Sequence, residues 1–146
     1  MTAGIYTARK KLKTLILAKE VGGQMVWSSD VENYTGFSMI SGGDLTNKFR
    51  EHLDTIKEDL ELKDGFEVTN IEKNITSFEI ETKQGQNFFA KTIIIASGKS
   101  PRHLGIPGEE KFFGRGVAVC ATCDAPLYKN KDVAVVGGGN SAMDAI

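Results

Sequence analysis

A chain of 146 residues is long enough to bury the core of one ordinary domain. Its net charge of -1 creates no field that favours nucleic acid or an anionic membrane as a partner. No apolar run of the sequence approaches the ~20 residues of a membrane span, and the start carries no signal-peptide pattern. We therefore predict a cytoplasmic protein.

The first part of the sequence predicts a helix, a buried strand and a loop. Residues 1–12 carry apolar side chains along one side of a helical pattern. The short apolar run Thr14–Ala18 is typical of a buried parallel strand. A Gly-Gly pair then begins an ordered loop over residues 22–38.

A capping-box pattern predicts the start of the next helix. Ser41 and Asp44 stand three residues apart, so the serine can cap a helix that begins after it. Apolar residues follow at three- and four-residue steps: Leu45, Phe49, Leu53, Ile56 and Leu60. This spacing predicts a helix with one buried face.

The second half predicts strands on both sides of a linker. Residues 67–73 alternate weakly, and the segments 77–82 and 87–91 flank Gln84-Gly85, which predicts a hairpin or meander. The runs at 92–96 (TIIIA) and 132–136 (DVAVV) are typical of buried strands. Between them, the prolines of residues 100–115 indicate a link between two domains.

The only two cysteines, Cys120 and Cys123, are one helical turn apart, which suits a redox pair at a helix start. Two unpaired buried cysteines or half of a zinc site are the alternatives. Zinc needs two more ligands, and His52 and His103 lie in unrelated segments without the usual spacing. We favour the redox pair.

Asp124 directly follows the second cysteine. There its carboxyl could carry a proton to or from a thiolate, or it could be a solvated turn residue. Taken alone, the position favours neither interpretation.

A glycine-rich turn follows the last predicted strand. The spacing Gly137-x-Gly139-x-x-Ala142 is typical of a dinucleotide-binding turn that meets a pyrophosphate at a helix N-terminus. The residue that distinguishes NAD from NADP stands about 20 positions further on, outside this sequence. The spacing therefore does not select between the two cofactors.

Taken in order, the motifs resemble the low-molecular-weight thioredoxin reductases throughout the chain. They are Gly-Gly-Gln, Glu-Asn-Tyr-x-Gly-Phe, Ile-Ile-Ile-Ala-Ser-Gly, Pro-Arg-x-Leu-x-Ile-Pro-Gly-Glu, Gly-Arg-Gly-Val-x-x-Cys-Ala-Thr-Cys-Asp and Val-Ala-Val-Val-Gly-Gly-Gly-Asn-Ser-Ala. The same layout belongs to the flavoprotein subunit that reduces alkyl hydroperoxide peroxidases, so the resemblance leaves the acceptor protein open.

The resemblance implies an α/β protein with a Rossmann-like FAD/NAD(P)-binding fold. Residues 1–105 would be a partial FAD-binding domain, and residues 106–146 the start of an NAD(P)H-binding domain. In such reductases electrons pass from NADPH to FAD, to the disulfide, and to thioredoxin or a similar dithiol protein. The full-length family implies a homodimer.

The resemblance also implies a role for individual residues. Expected FAD contacts are Gly22, Gly23, Gln24, Asn33, Val68, Ser97 and Gly98. Expected NADPH contacts are Gly137, Gly139, Asn140, Ser141 and Ala142. Cys123 resembles the thiol that faces the flavin, Cys120 the thiol that attacks the partner's disulfide, and Asp124 the acid-base residue.

The chain also departs from the family pattern. Met1–Ala3 match only the residues that follow the family's first Gly-x-Gly-x-x-Gly turn, so we expect truncation at both ends and incomplete FAD and NADPH sites. Thr35 stands where many relatives have proline. Two interpretations of Met1 stay open, a true start or an internal methionine. The alternative to a reductase is a non-catalytic nucleotide-fold fragment.

Overall fold

The structure is a computed structural model that describes residues 1–28 and 30–146, without the side chains of residues 122, 123 and 126. The chain divides into two compact units, Met1–Gly98 and Lys99–Ile146. The domain boundary expected at residue 105 stays a prediction. Within the described residues, no helix combines the length and apolar character that crossing a membrane requires.

The core of the first unit is a parallel strand pair covered by two helices. Its elements are α1 (Thr2–Arg9), β1 (Thr14–Ala18), α2 (Gly42–Asp54) and β2 (Leu60–Asp64). The two strands pair in parallel, and the predicted bounds of β1 are confirmed. One residue from each helix and one from β2 form the buried centre: Ala8, Leu53 and Leu60.

The predicted cap of α2 is confirmed. The Ser41 hydroxyl oxygen accepts a hydrogen bond from the Asp44 amide at 3.0 Å and donates one to the Asp44 carboxylate at 2.7 Å. The backbone N–H groups at a helix start have no hydrogen-bond partner within the helix. The Ser41 hydroxyl supplies such a partner for the Asp44 amide, and the Asp44 carboxylate accepts the hydroxyl's own proton.

The predicted extension of this helix to Leu60 is wrong. The helix ends at Asp54, and Leu60 instead opens β2 opposite Thr14. The spacing from Leu53 to Ile56 and Leu60 continues a helical stripe, but the three residues reach the same core from the helix, a turn and a strand, respectively. Backbone pairing with β1 stabilises a strand there, which a propensity argument does not include.

A second, antiparallel sheet completes the first unit. The strands β3 (Val68–Lys73), β4 (Phe78–Thr82) and β5 (Asn87–Ala90) pair in chain order. Gly85 adopts φ +77° in the turn between β4 and β5, a conformation that favours glycine. The predicted meander is confirmed.

The prediction of strands at 92–96 and 132–136 is wrong, because neither segment forms a strand in the structure. Ile95 is 75% exposed and Val136 is 68% exposed. An apolar run acquires strand structure only when a neighbour accepts and donates its backbone hydrogen bonds. Among the described residues, neither segment has such a neighbour.

The second unit consists of short helices joined by turns. They are α3 (Glu109–Phe112), α4 (Ala121–Asp124), a 3-10 helix (Ala125–Tyr128) and α5 (Asn140–Met143). The helix start expected after the glycine-rich turn is thus present at Asn140.

Candidate functional site

The loop after β1 is built around two glycines with different constraints. Gly22 has φ +99°, and a Cβ there would lie 2.5 Å from Val26 Cγ2 and 2.7 Å from Thr46 Oγ1. Gly23 has φ +53°, but among the described residues, its neighbours in the chain aside, no atom lies within 4 Å of the place of its Cβ. Packing and backbone conformation therefore both require the first glycine, whereas the second leaves an open stretch of backbone.

The loops that follow β1 and β2 are joined to each other. The Asp64 carboxylate accepts a hydrogen bond from the Val21 amide at 3.2 Å, and the Ala18 carbonyl accepts one from the Phe66 amide at 2.8 Å. Because the strands are parallel, both loops leave from the carboxyl ends, the edge where open α/β sheets bind ligands.

This junction also orders the residue before Val68. Glu67 forms ion pairs with Lys19 at 3.0 Å and Lys83 at 3.4 Å. The hydrogen bond from Lys19, followed by the one from Lys83, lowers the pKa of the Glu67 carboxyl. Val68 then begins β3 directly after the β1–β2 edge. Two of the predicted FAD-binding segments, residues 22–24 and Val68, therefore follow the same edge.

Asn33, another predicted FAD contact, lies on the exposed turn of a closed loop. Val31 and Ile40 exchange backbone hydrogen bonds of 2.8 and 3.1 Å at the base of this loop. The Tyr34 ring packs against Phe49 of α2, with ring centroids 5.7 Å apart. The neighbouring aromatic ring thus fixes the turn that carries Asn33.

Ser97 and Gly98 are exposed at the end of the first unit. Gly98 has φ +65° and open space around the position of its Cβ. The backbone there is accessible, as a phosphate-binding turn requires. Whether it contacts FAD stays a prediction.

The cysteine motif occupies one helical turn of the second unit. The Asp124 amide donates a hydrogen bond to the Cys120 carbonyl at 2.9 Å. This bond spans the motif from its first cysteine to the residue after its second. Cys120 is half-buried and disulfide-bonded. The side chain of Cys123 lies outside the described residues, and the predicted Cys120–Cys123 pairing therefore stays a prediction. Asp124 is half-buried.

The predicted NADPH contacts form a glycine turn at the start of α5. Gly137 has φ +121°, and its Cβ would lie 3.8 Å from the Ala142 Cβ. The Gly139 carbonyl accepts from the Ala142 amide at 2.9 Å and from the Met143 amide at 3.1 Å. Ala142 is buried, whereas Asn140 and Ser141 are exposed.

The glycines of these three turns fit the predicted nucleotides. Apart from neighbours in the chain, no atom of the described residues lies within 4 Å of the Cβ positions of Gly23, Gly98, Gly138 or Gly139. Side chains at these positions would fill the space through which a phosphate approaches backbone amides. The absence of side chains leaves that approach open.

Sequence analysis missed Glu109. Its buried carboxylate accepts hydrogen bonds from the Leu104 amide at 2.9 Å and the Gly105 amide at 2.7 Å, and lies 3.3 Å from His103 Nδ1. The Leu104 hydrogen bond is the largest cause of a lowered Glu109 pKa; burial acts in the opposite direction. An acidic residue directly after Pro107-Gly108, in the first turn of a helix, is the signal that could have found it.

Two surface grooves lie away from the predicted contacts. One, of about 330 Å³, is lined by residues of α2 and β2, and the other, of about 440 Å³, by residues around Glu109. Neither is lined by a residue predicted to bind a cofactor.

The chain combines a parallel strand pair, which has a glycine loop at its carboxyl edge, with a separate glycine turn at a helix start. These features define a nucleotide-binding α/β protein of the Rossmann type. The predicted fold class is confirmed by the comparison with known families. The chain belongs to the pyridine nucleotide-disulphide oxidoreductase family, whose model matches residues 1–146.

Individual relatives support the more specific resemblance. Thioredoxin reductase of Lactococcus lactis has a similar structure (TM-score 0.71, 43% identity), which covers 88% of this chain and 42% of that one. The T. acidophilum thioredoxin reductase also gives a TM-score of 0.71 at 39% identity, over 99% of this chain and 46% of that one. The resemblance to thioredoxin reductases is confirmed.

A protein of Staphylococcus aureus that forms part of an alkyl hydroperoxide reductase is 41% identical over 144 residues, which is 99% of this chain. The chain spans 28% of that relative's length. It therefore matches two kinds of reductase to a similar degree, and represents less than half of either.

Proposed function

We propose that this chain is part of an NADPH-dependent flavoprotein disulfide reductase that passes electrons to thioredoxin or a similar dithiol protein. The observation that carries the proposal is the family match over residues 1–146, together with a disulfide-bonded Cys120 directly before α4. The proposed enzyme acts in the cytoplasm, where thiols are kept reduced, and as a homodimer.

FAD would be held by the loops at the carboxyl edge of the β1–β2 pair and by the turn that ends the first unit. The proposed contacts are Gly22, Gly23, Gln24, Asn33, Val68, Ser97 and Gly98. When bound, FAD supplies two-electron chemistry between a nicotinamide and a disulfide. NADPH would be held by the glycine turn, through Gly137, Gly139, Asn140, Ser141 and Ala142.

The two cysteines have different proposed roles. After the Cys120–Cys123 disulfide is reduced, the Cys120 thiolate attacks one sulfur of the partner's disulfide, and the partner's other sulfur leaves as a thiolate. The Cys123 thiolate then attacks Cys120 Sγ. The reduced partner leaves, and the Cys120–Cys123 disulfide forms again.

Asp124 is the proposed proton carrier for these steps. The hydrogen bond that its backbone amide donates to the Cys120 carbonyl keeps the residue on the turn that carries the cysteines. From there its carboxyl could protonate a leaving thiolate or accept a proton from an attacking thiol.

A second candidate function is electron supply to a peroxidase, as the name alkyl hydroperoxide reductase suggests for a relative with 41% identity. The 43% identity to a thioredoxin reductase does not separate the two. A non-catalytic nucleotide-fold protein is the alternative from another class, and the cysteine pair argues against it.

A trapping experiment tests both the chemistry and the partner without added cofactor. The chain is reduced with dithiothreitol, freed of reductant and mixed with oxidised thioredoxin or with an oxidised peroxiredoxin. We expect Cys123→Ser to accumulate a mixed disulfide between Cys120 and the true partner, because the thiol that resolves it is missing. The matched variant Cys120→Ser should accumulate none.

Intact mass identifies the adducts. Equal trapping by both variants would contradict the assigned roles, and no trapping of either protein would favour the non-catalytic alternative. A titration with FAD, followed by flavin fluorescence, tests cofactor binding separately.

A further inference from the structure

The Asp64 carboxylate connects three parts of the first unit. Its Oδ1 accepts hydrogen bonds from the Val21 amide at 3.2 Å and the Gly65 amide at 3.0 Å. Its Oδ2 lies 3.4 Å from Arg50 Nη2, on α2. Asp64, at the end of β2, therefore binds the loop after β1 through a hydrogen bond. Arg50 of α2 forms an ion pair with the same carboxylate.

Val21 is the residue through which this connection acts on the glycine loop. It is 8% exposed and stands three residues past the end of β1, so its amide is outside the strand ladder. A buried backbone N–H that lacks a partner is costly. Asp64 supplies that partner from a position 43 residues away in the sequence.

The next residue allows little adjustment. Gly22 is confined between Val26 and Thr46 and has a positive φ, so the direction in which the chain leaves Val21 determines where Gly23 and Gln24 present their backbone. A change in the orientation of the Val21 amide would be transmitted to both.

We propose that Asp64 is a positioning residue for the glycine loop, holding Gly22–Gln24 through the Val21 amide in the arrangement that binds the cofactor. Asp64 acts through Val21. The identity of the ligand as FAD rests on the proposed function, but the ordering of the loop does not.

Hydrogen exchange of the 146-residue chain, followed residue by residue by NMR, tests the ordering. In Asp64→Ala we expect the Val21 amide to exchange about fivefold to tenfold faster, the factor that loss of one ordinary hydrogen bond gives. Asp64→Asn keeps an acceptor oxygen and should retain most of the protection, with a shifted Val21 amide proton resonance because the acceptor has lost its charge.

Asp59→Ala is the matched control. Asp59 also makes one ion pair, with Lys11 at 3.3 Å, but it stands next to the opposite end of β2. We expect this variant to leave the Val21 exchange rate unchanged. Acrylamide quenching of Trp27, the chain's single tryptophan and the last residue of the 3-10 helix that begins at Gly23, should increase in Asp64→Ala alone.

FAD titration by flavin fluorescence then connects the loop to the ligand. We expect the FAD dissociation constant of Asp64→Ala to rise in proportion to the loss of the ordered loop, because only molecules with the ordered loop bind without a further ordering cost. The Asp59→Ala protein should bind FAD as the unaltered chain does.

The outcomes separate the two proposals. The positioning role is overturned if Asp64→Ala leaves Val21 exchange unchanged, if Asp59→Ala accelerates it equally, or if the unaltered chain binds FAD and Asp64→Ala binds it as tightly although exchange accelerates. Should Asp64→Ala not fold, a Val21 amide resonance that does not move in Asp64→Asn also overturns it. If the unaltered chain binds no FAD while Val21 responds as expected, the loop ordering is supported and the proposed FAD contacts of this chain fail.

Discussion

Alanine at Gly22 and at Gly23 should have very different effects on stability, although the two glycines are adjacent and both have positive φ. At Gly23 only the backbone conformation opposes a side chain, at a cost of about 1–2 kcal/mol. At Gly22 the new Cβ also overlaps Val26 and Thr46. Overpacking of this kind typically adds about 1–3 kcal/mol, which gives a total of about 2–5 kcal/mol.

The two neighbours differ in how readily they can move. Val26 is partly exposed and can rotate away, but Thr46 is 4% exposed and its hydroxyl donates to the Gly42 carbonyl at 2.8 Å. Relief at Thr46 would break that bond. We therefore expect Gly22→Ala to fall in the upper part of the range.

Urea denaturation followed by Trp27 fluorescence measures the difference. The loop carries this tryptophan, so the signal reports the region that is altered. In a domain of 60–100 residues, 1 kcal/mol shifts the melting temperature by about 4–8 °C, which makes the contrast measurable by thermal melts as well. Equal destabilisation by Gly22→Ala and Gly23→Ala would refute the packing argument.

Two further variants test other parts of the structure. Ser41→Ala removes the cap of α2 and should cost about 1 kcal/mol in denaturant titrations, whereas Ser41→Asp should keep the cap; equal losses would contradict a capping role. The lowered pKa of Glu109 means that its charged form stabilises the second unit. That stability should be fully present above the usual carboxyl pKa of 4.5 and be lost as the pH falls through the lowered value. Exchange protection of the Leu104 and Gly105 amides across this range should therefore depend on pH, and Glu109→Gln should flatten that dependence.

Local signals predicted much of the first unit. The bounds of β1 follow from an uninterrupted apolar run, and the start of α2 follows from a serine and an aspartate at the spacing of a capping box. Both depend on residues close in sequence, so a single sequence contains the information. The glycine turns were also located, since glycine adopts positive φ angles more readily than other residues wherever it stands in a sequence.

Long-range pairing was the information that the sequence lacked. β2 was missed because Leu60 satisfies a helical stripe as well as a strand, and only its partner β1 decides between them. The run at 92–96 has strong strand propensity but no described neighbour with which to pair. Asp64 was missed for a related reason: it acts on the Val21 amide, 43 residues away in the sequence, and a backbone amide carries no residue-specific signal.

The unpaired apolar runs have a consequence for the behaviour of the protein in solution. Ile94 and Ile95 are 64% and 75% exposed, and a short stretch of high strand propensity without internal charge is the composition that assembles into intermolecular sheets. Lys91 and Lys99 flank this stretch and repel a second copy that approaches in register. Because salt screens such repulsion, self-association should increase with ionic strength. We therefore expect these two lysines to limit the self-association of this exposed apolar stretch.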